Sequence, residues 1–96
     1  MNRATVLQIL SEQKAQIVRR FGVASLALFG STARDAAKPD RDVDLLVSFV
    51  GPATSAQFFG LQFYLEDVLG CPVDLVTEKA LRRELRPYVM KDAVHV

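Results

Sequence analysis

The chain of 96 residues contains a single cysteine and a single histidine. Cys71 has no second cysteine with which to form an intramolecular disulfide, and we interpret it as a small apolar residue. A structural zinc site takes four cysteine or histidine ligands, more than this chain has. The composition therefore excludes a disulfide-stapled scaffold and a zinc finger, and we expect a reducing, cytoplasmic setting.

Long apolar runs and an excess of one charge are also missing. No apolar run approaches the ~18 residues that span a bilayer, and the first twenty residues are too polar for a signal peptide. The formal net charge of +1 gives no general attraction to nucleic acid. We therefore expect one domain over residues 1–96, without a membrane span and without nucleic acid as a partner.

Helix and strand signals alternate along the chain. Capping residues predict a helix from Asn2 to Phe21 that ends at Gly22 and one from Ser55 to Leu69 that ends at Gly70, the latter opened by a capping box at 54–57. Apolar runs predict strands at 24–29, 42–49 and 71–77. Ser31 is interpreted as the cap of a short helix reaching Ala37, 38–41 as a turn, and the tail as one or two short helices split at Pro87. This order predicts an α/β (α+β) fold with a small sheet and flanking helices.

The second predicted strand carries two carboxylates. Because side chains alternate faces along a strand, Asp42 and Asp44 share one face, with Cα atoms only ~7 Å apart. Asp74 stands in a similar apolar run and can join them if the third strand lies beside the second. Charges in such surroundings are costly unless they are paired or coordinated, and an oxygen cluster suits Mg²⁺ or Mn²⁺. The alternative is a one-sided strand with solvated aspartates.

The turn after the first strand supplies a complementary feature. Gly30 lets backbone approach a ligand closely, and Ser31 offers a hydroxyl beside free N–H groups, a suitable place for phosphate. Arg34, one turn on, could add a cation, while the alternative role of Ser31 is helix capping alone. A phosphate-binding turn beside a carboxylate pair indicates a metal–nucleotide site.

Other readings of these residues fail on details. The spacing Asp40-x-Asp42-x-Asp44 resembles an EF-hand start, but leucine and glycine occupy the positions that need glycine and glutamate. The phosphate-loop pattern GxxxxGK[ST] is absent after Gly30. His95 is interpreted as a tail residue, not as a base.

Two aromatic residues lie off the core face of the long second helix. Helical spacing puts Phe59 and Phe63 one turn apart and roughly opposite the apolar face. Either another helix covers them or they form a partner surface, since exposed aromatic pairs are typical of interface anchors.

The spacing Gly30-Ser31, ten residues, Asp42-x-Asp44 resembles the GSx10DxD signature of minimal nucleotidyltransferases, members of the DNA polymerase β superfamily. The resemblance covers nearly the whole chain, and the segment around Asp74 is similar to the one that carries the family's third carboxylate. One departure is Asp35, where the family often has glycine.

The resemblance implies a polymerase-β-like nucleotidyltransferase fold and metal-dependent nucleotidyl transfer. Asp42, Asp44 and Asp74 would bind Mg²⁺ or Mn²⁺ and carry the catalysis. Gly30, Ser31 and Arg34 would hold the phosphates of the nucleoside triphosphate. Similar proteins are often antitoxins paired with a HEPN-domain ribonuclease, on which they move AMP from ATP to a tyrosine, and this is the function that we expect.

Two other functions stay open. The chain could neutralise a partner by binding alone, through Phe59, Phe63 and the basic tail (Arg82, Arg83, Arg86), although three clustered carboxylates give a mere binder no benefit. It could also modify a small molecule as a homodimer. With no second lobe, the chain has little surface for an acceptor, so we expect a partner protein or a second copy to complete the site.

Overall fold

Helices and strands alternate along the chain in the computed structural model, which describes residues 2–34 and 42–96. The elements in chain order are α1 (Arg3–Phe21), β1 (Val23–Phe29), α2 (Gly30–Ala33), β2 (Val43–Phe49), α3 (Ser55–Leu69), β3 (Val73–Thr77), α4 (Arg86–Asp92) and β4 (Val94–His95). None of the helices in this described part is both long and apolar enough to span a membrane.

The four strands form one mixed sheet in the order β3-β2-β1-β4. Strands β2 and β3 are parallel, because α3 crosses back between them, whereas β1 is antiparallel to both β2 and β4. The predicted class, a small mixed sheet with flanking helices, is confirmed.

The capping signals fix the ends of both long helices. The Asn2 side chain accepts a hydrogen bond from the Thr5 backbone at 2.8 Å, and Gly22 ends α1 in the left-handed region. Thr54 and Gln57 form the reciprocal bonds of a capping box, and Gly70 ends α3. These predictions are confirmed because capping depends only on residues close in sequence.

The main core lies between the two long helices and one face of the sheet. Alternate residues of β2 (Val43, Leu45 and Val47) join this core, together with the buried leucines of α3. The opposite face of β2 carries Asp44 and Leu46. The period of two predicted from the sequence is therefore present, and it leaves Asp44 outside the main core.

Three predicted strand boundaries need correction, the first being that β1 begins at Val23 instead of Ala24. Asp42 lies directly before β2 and not within it, and β3 begins at Val73 instead of Cys71. The short strand β4 was not predicted. It contributes only two residues, which pair with Ala27 and Leu28, and two residues carry no recognisable alternation.

The prediction that Ser31 caps the short helix is wrong. Helix α2 begins at Gly30, its cap residue is Phe29, and no side chain makes a capping hydrogen bond. The remainder of the predicted helix and the turn at 38–41 lie outside the described residues. In the tail, Pro87 lies in the first turn of α4, as predicted.

Candidate active site

Two of the three predicted carboxylates are direct neighbours across the sheet. Asp44 of β2 lies in register with Asp74 of β3. Neighbouring strands are ~4.8 Å apart, so both side chains leave the same face at close range. The condition set from the sequence, that the third strand lies beside the second, is thus met.

Helix α3 fixes the position of Asp74 through the residue before it. Gln62 donates a hydrogen bond to the carbonyl oxygen of Val73 at 3.2 Å, and the Glu66 carboxylate accepts one from the Val73 N–H at 3.0 Å. The sequence analysis did not identify this pair. Its signal is two polar side chains one turn apart beside the apolar face of a helix.

Gly30 packs directly against Asp44. A Cβ atom placed on Gly30 would lie 2.3 Å from Oδ2 of Asp44, and the glycine has a φ of +74°. Both observations require glycine, since side chains are disfavoured at this φ and no atom fits at this distance. The close approach predicted for Gly30 therefore brings it to the carboxylate itself, at the point where β1 gives way to α2.

The surroundings of Asp44 disfavour the charged form of its carboxyl. The pKa of its carboxyl is raised to about 6, chiefly by burial and further by the charge of Asp74, a hydrogen bond with Asp74 and the charge of Asp42. The Arg34 guanidinium partly opposes this shift, which shows that this cation lies within electrostatic reach. Asp44 therefore holds a proton more readily than an isolated aspartate does.

Asp42 is exposed and stands one residue ahead of β2. Within residues 2–34 and 42–96, no three histidine, cysteine or acidic side chains converge closely enough to hold a metal ion. The site thus consists of the Asp44–Asp74 pair with Asp42 beside it. Its donors are all carboxylate oxygens, which suit Mg²⁺ or Mn²⁺, and the repulsion at Asp44 is of the kind that a cation relieves. The residues present fit a divalent ion.

Arg34 is paired with the C-terminal part of the chain. Its Nη1 donates to Oδ2 of Asp92 at 2.7 Å, which joins the end of α2 to α4. The backbone N–H of Arg34 also donates to the Gly30 carbonyl at 3.2 Å. Arg34, which the sequence predicted to bind phosphate, therefore lies beside the Gly30 turn. Its side chain is paired with the Asp92 carboxylate of the same chain. Asp92 was not identified from the sequence because the two residues are 58 positions apart.

The two off-face aromatic residues of α3 are exposed. Phe59 and Phe63 keep 53% and 66% of their surface accessible, so no helix of the described chain covers them. Of the two readings left open by the sequence, coverage by another helix is wrong.

Two cavities of the described chain lie away from the carboxylates. One of about 230 Å³ lies between α1 and β1, and one of about 410 Å³ lies near the end of β2 at Phe49. Neither is lined by Asp44, which stands near the opposite end of β2. The carboxylate pair lies apart from both.

Comparison with known proteins supplies the family. Residues 10–95 match the model of a nucleotidyltransferase domain. The chain belongs to the nucleotidyltransferase domain family. It is 40% identical over 88 residues to the protein adenylyltransferase MntA of Thermococcus cleftensis, covering 92% of this chain and 89% of that protein.

Solved structures agree with this assignment. A structure described as a minimal nucleotidyltransferase superposes with a TM-score of 0.83 at 36% identity, over 98% of this chain and 95% of that one. A toxin–antitoxin structure with AMP-PNP gives 0.72 at 20% identity, over 88% and 69%. An MNT antitoxin bound to the tri-AMPylated HEPN toxin of Shewanella oneidensis gives 0.66 at 20% identity, over 92% and 69%. The last two share the fold of this nucleotidyltransferase.

Proposed function

We propose that this nucleotidyltransferase is a cytoplasmic, metal-dependent protein adenylyltransferase. It moves AMP from ATP to a tyrosine hydroxyl of a HEPN-domain ribonuclease toxin and thereby acts as the antitoxin. The observation that carries the proposal is the register of Asp44 with Asp74 beside the Gly30 turn, in a chain 40% identical to a protein adenylyltransferase.

The donor side of the reaction follows from the turn and the carboxylates. The backbone of Gly30 and the Ser31 hydroxyl hold the β- and γ-phosphates, and Arg34 adds positive charge on the same side. Asp44 and Asp74, with Asp42 beside them, would hold a divalent ion. When bound, this ion supplies charge neutralisation for the triphosphate.

The transfer step is an in-line displacement at the α-phosphorus. Asp74 accepts the proton of the attacking hydroxyl, and pyrophosphate leaves from the opposite side. The pKa of Asp44 is raised chiefly by burial and then by the charge of Asp74, so positive charge at this point would be favourable. The chain therefore contributes chiefly positioning and electrostatic stabilisation, as expected for a reaction of this type.

A HEPN-domain partner accounts for the exposed aromatic pair. Phe59 and Phe63 are one helical turn apart on α3 and open to solvent. Residues of this kind anchor protein interfaces when a partner buries them. The similar fold in the structure of an MNT antitoxin with its AMPylated HEPN toxin supports the same kind of partner here.

The exposed aromatic pair also favours a second candidate, a non-catalytic antitoxin that neutralises its partner by covering it. In that case replacing both phenylalanines by serine abolishes neutralisation, while Asp44→Asn preserves it. Under the adenylyltransferase proposal Asp44→Asn abolishes neutralisation.

The test incubates the purified product of the neighbouring gene, which the proposal expects to be a HEPN-domain protein, with ATP, MgCl₂ and this nucleotidyltransferase, and measures its intact mass. A gain of one or more adenylyl groups with the wild type, absent with the Asp42→Asn/Asp44→Asn double variant, is the expected result. Fragmentation of the product then locates the modified tyrosine. A stable complex with no mass gain for either protein would contradict the proposal and favour neutralisation by binding.

A further inference from the structure

The chain contains two tyrosines, and their surroundings differ. Tyr64 of α3 donates its hydroxyl to Oε1 of Gln13 at 2.5 Å. Its ring is tilted against that of Phe21, and the Arg20 guanidinium lies over the ring at 5.1 Å. The hydroxyl of Tyr64 is therefore occupied within the fold.

Tyr88 is the exposed tyrosine, with 71% of its surface accessible on α4. It precedes Asp92 by four residues, so the two side chains lie on the same side of the helix, about one turn of 5.4 Å apart. Asp92 is the residue that binds Arg34 at 2.7 Å. The helix that presents Tyr88 is thus docked on the candidate phosphate turn.

A short series of contacts connects this docking point to the carboxylates. The Arg34 backbone donates to the Gly30 carbonyl, and Gly30 packs against Oδ2 of Asp44. Arg34 also acts electrostatically on Asp44. An exposed phenol therefore stands about one helical turn along α4 from an ion pair that borders the site.

A phenol is also the most suitable hydroxyl for this chemistry. Its ordinary pKa is about 10, lower than that of an aliphatic hydroxyl, so a carboxylate acting as general base can take its proton as the bond to phosphorus forms. We propose that Tyr88 is a self-adenylylation site of this protein, an inference that rests on the proposed adenylyltransferase function.

In the self-modification step, the Tyr88 oxygen forms a bond to the α-phosphorus of ATP. The bond from the α-phosphorus to the oxygen bridging to the β-phosphate breaks, and pyrophosphate leaves with that electron pair. The phenolic proton passes to a carboxylate or to solvent. No oxidant, reductant or further reactant is needed.

The experiment incubates the purified chain alone with ATP and MgCl₂, then measures intact mass and maps modified peptides. We expect a gain of one adenylyl group on Tyr88 with the wild type. Tyr88→Phe abolishes the gain, whereas Tyr64→Phe, which removes the other phenol, retains it. Asp44→Asn, incubated alone, gains nothing.

A mass gain that persists in Tyr88→Phe, or that maps to another residue, overturns the inference. A parallel reaction that includes the HEPN partner separates its failure from that of the proposed function. If the partner is adenylylated and Tyr88 is not, self-modification is wrong and the proposed function stands. If neither protein is modified, the proposed function fails as well.

Discussion

Asp44 is subject to two opposing requirements. The proposed function requires its carboxylate beside those of Asp74 and Asp42, whereas the stability of the metal-free fold favours fewer charges at this point. The sequence predicted that Asp44 lies on the face of β2 opposite Val43, Leu45 and Val47 because the period of a strand is local. The pKa of Asp44 is raised by burial and by Asp74 of the neighbouring strand, and the spacing of residues in the sequence shows neither.

Asp44→Asn should therefore stabilise the metal-free protein. The folded-state pKa of about 6 exceeds the ordinary value of 3.8. The charged carboxylate thus lowers the free energy of unfolding fully above pH 6 and not at all below about pH 4. After allowance for solvent screening, we expect a gain on the order of 1 kcal/mol at pH 7.5.

Urea unfolding in EDTA across pH 4–8 measures this gain. The difference between the variant and the wild type should shrink as the pH falls through 6. A gain that is independent of pH would contradict the electrostatic origin.

Gly30 can be tested against another glycine with nearly the same φ. Gly30→Ala suffers both the positive φ and the contact with Asp44, whereas Gly51, with a φ of +76°, has nothing within 4 Å of an added Cβ. We expect Gly51→Ala to cost about 1 kcal/mol and Gly30→Ala about 1–3 kcal/mol more, with loss of transfer. Urea unfolding and the transfer assay check both variants. Equal costs would show that the approach to Asp44 is not restrictive.

Helix α4 is the helix whose position and contacts were hardest to predict from the sequence. Pro87 indicated where a helix begins, yet nothing nearby indicated that Asp92 reaches Arg34 or that β4 follows. Helices α1 and α3 were predicted well because their caps and apolar faces are local signals. The docking of α4 depends on contacts between residues that are distant in sequence, which no pattern within α4 records.

Under the proposed function, the ion pair between α2 and α4 would compete with phosphate for Arg34. Exposed pairs contribute at most about 1 kcal/mol, so Asp92→Asn should leave the fold nearly as stable as the wild type. With Arg34 released, we expect the KM for ATP to fall about two- to fivefold, as this energy allows. Steady-state kinetics with the HEPN partner measures it. A rise in KM would mean that Asp92 orients Arg34 for the nucleotide instead of competing with it.

The parallel pairing of β2 with β3 brings Asp44 and Asp74, which are distant in the sequence, to one candidate site. Asp74 is thirty residues from Asp44, and only the crossover through α3 brings them into register. From the sequence, Asp74 could join the other carboxylates only if the third strand lay beside the second. The resemblance to minimal nucleotidyltransferases made that arrangement the expected one. The described chain also leaves Phe59 and Phe63 exposed, which suits an acceptor site completed by a partner protein.

The most direct measurement of the central claim is Mn²⁺ binding in the presence of AMP-PNP, followed by titration calorimetry. The account predicts that the wild type binds the ion with the nucleotide and that Asp44→Asn and Asp74→Asn each weaken binding by more than about tenfold, since changes near a metal commonly cost this much. Asp67→Asn, the same charge change at an exposed position of α3, should bind like the wild type. Wild-type affinity in Asp44→Asn would contradict the assignment of the carboxylate pair as the metal–nucleotide site.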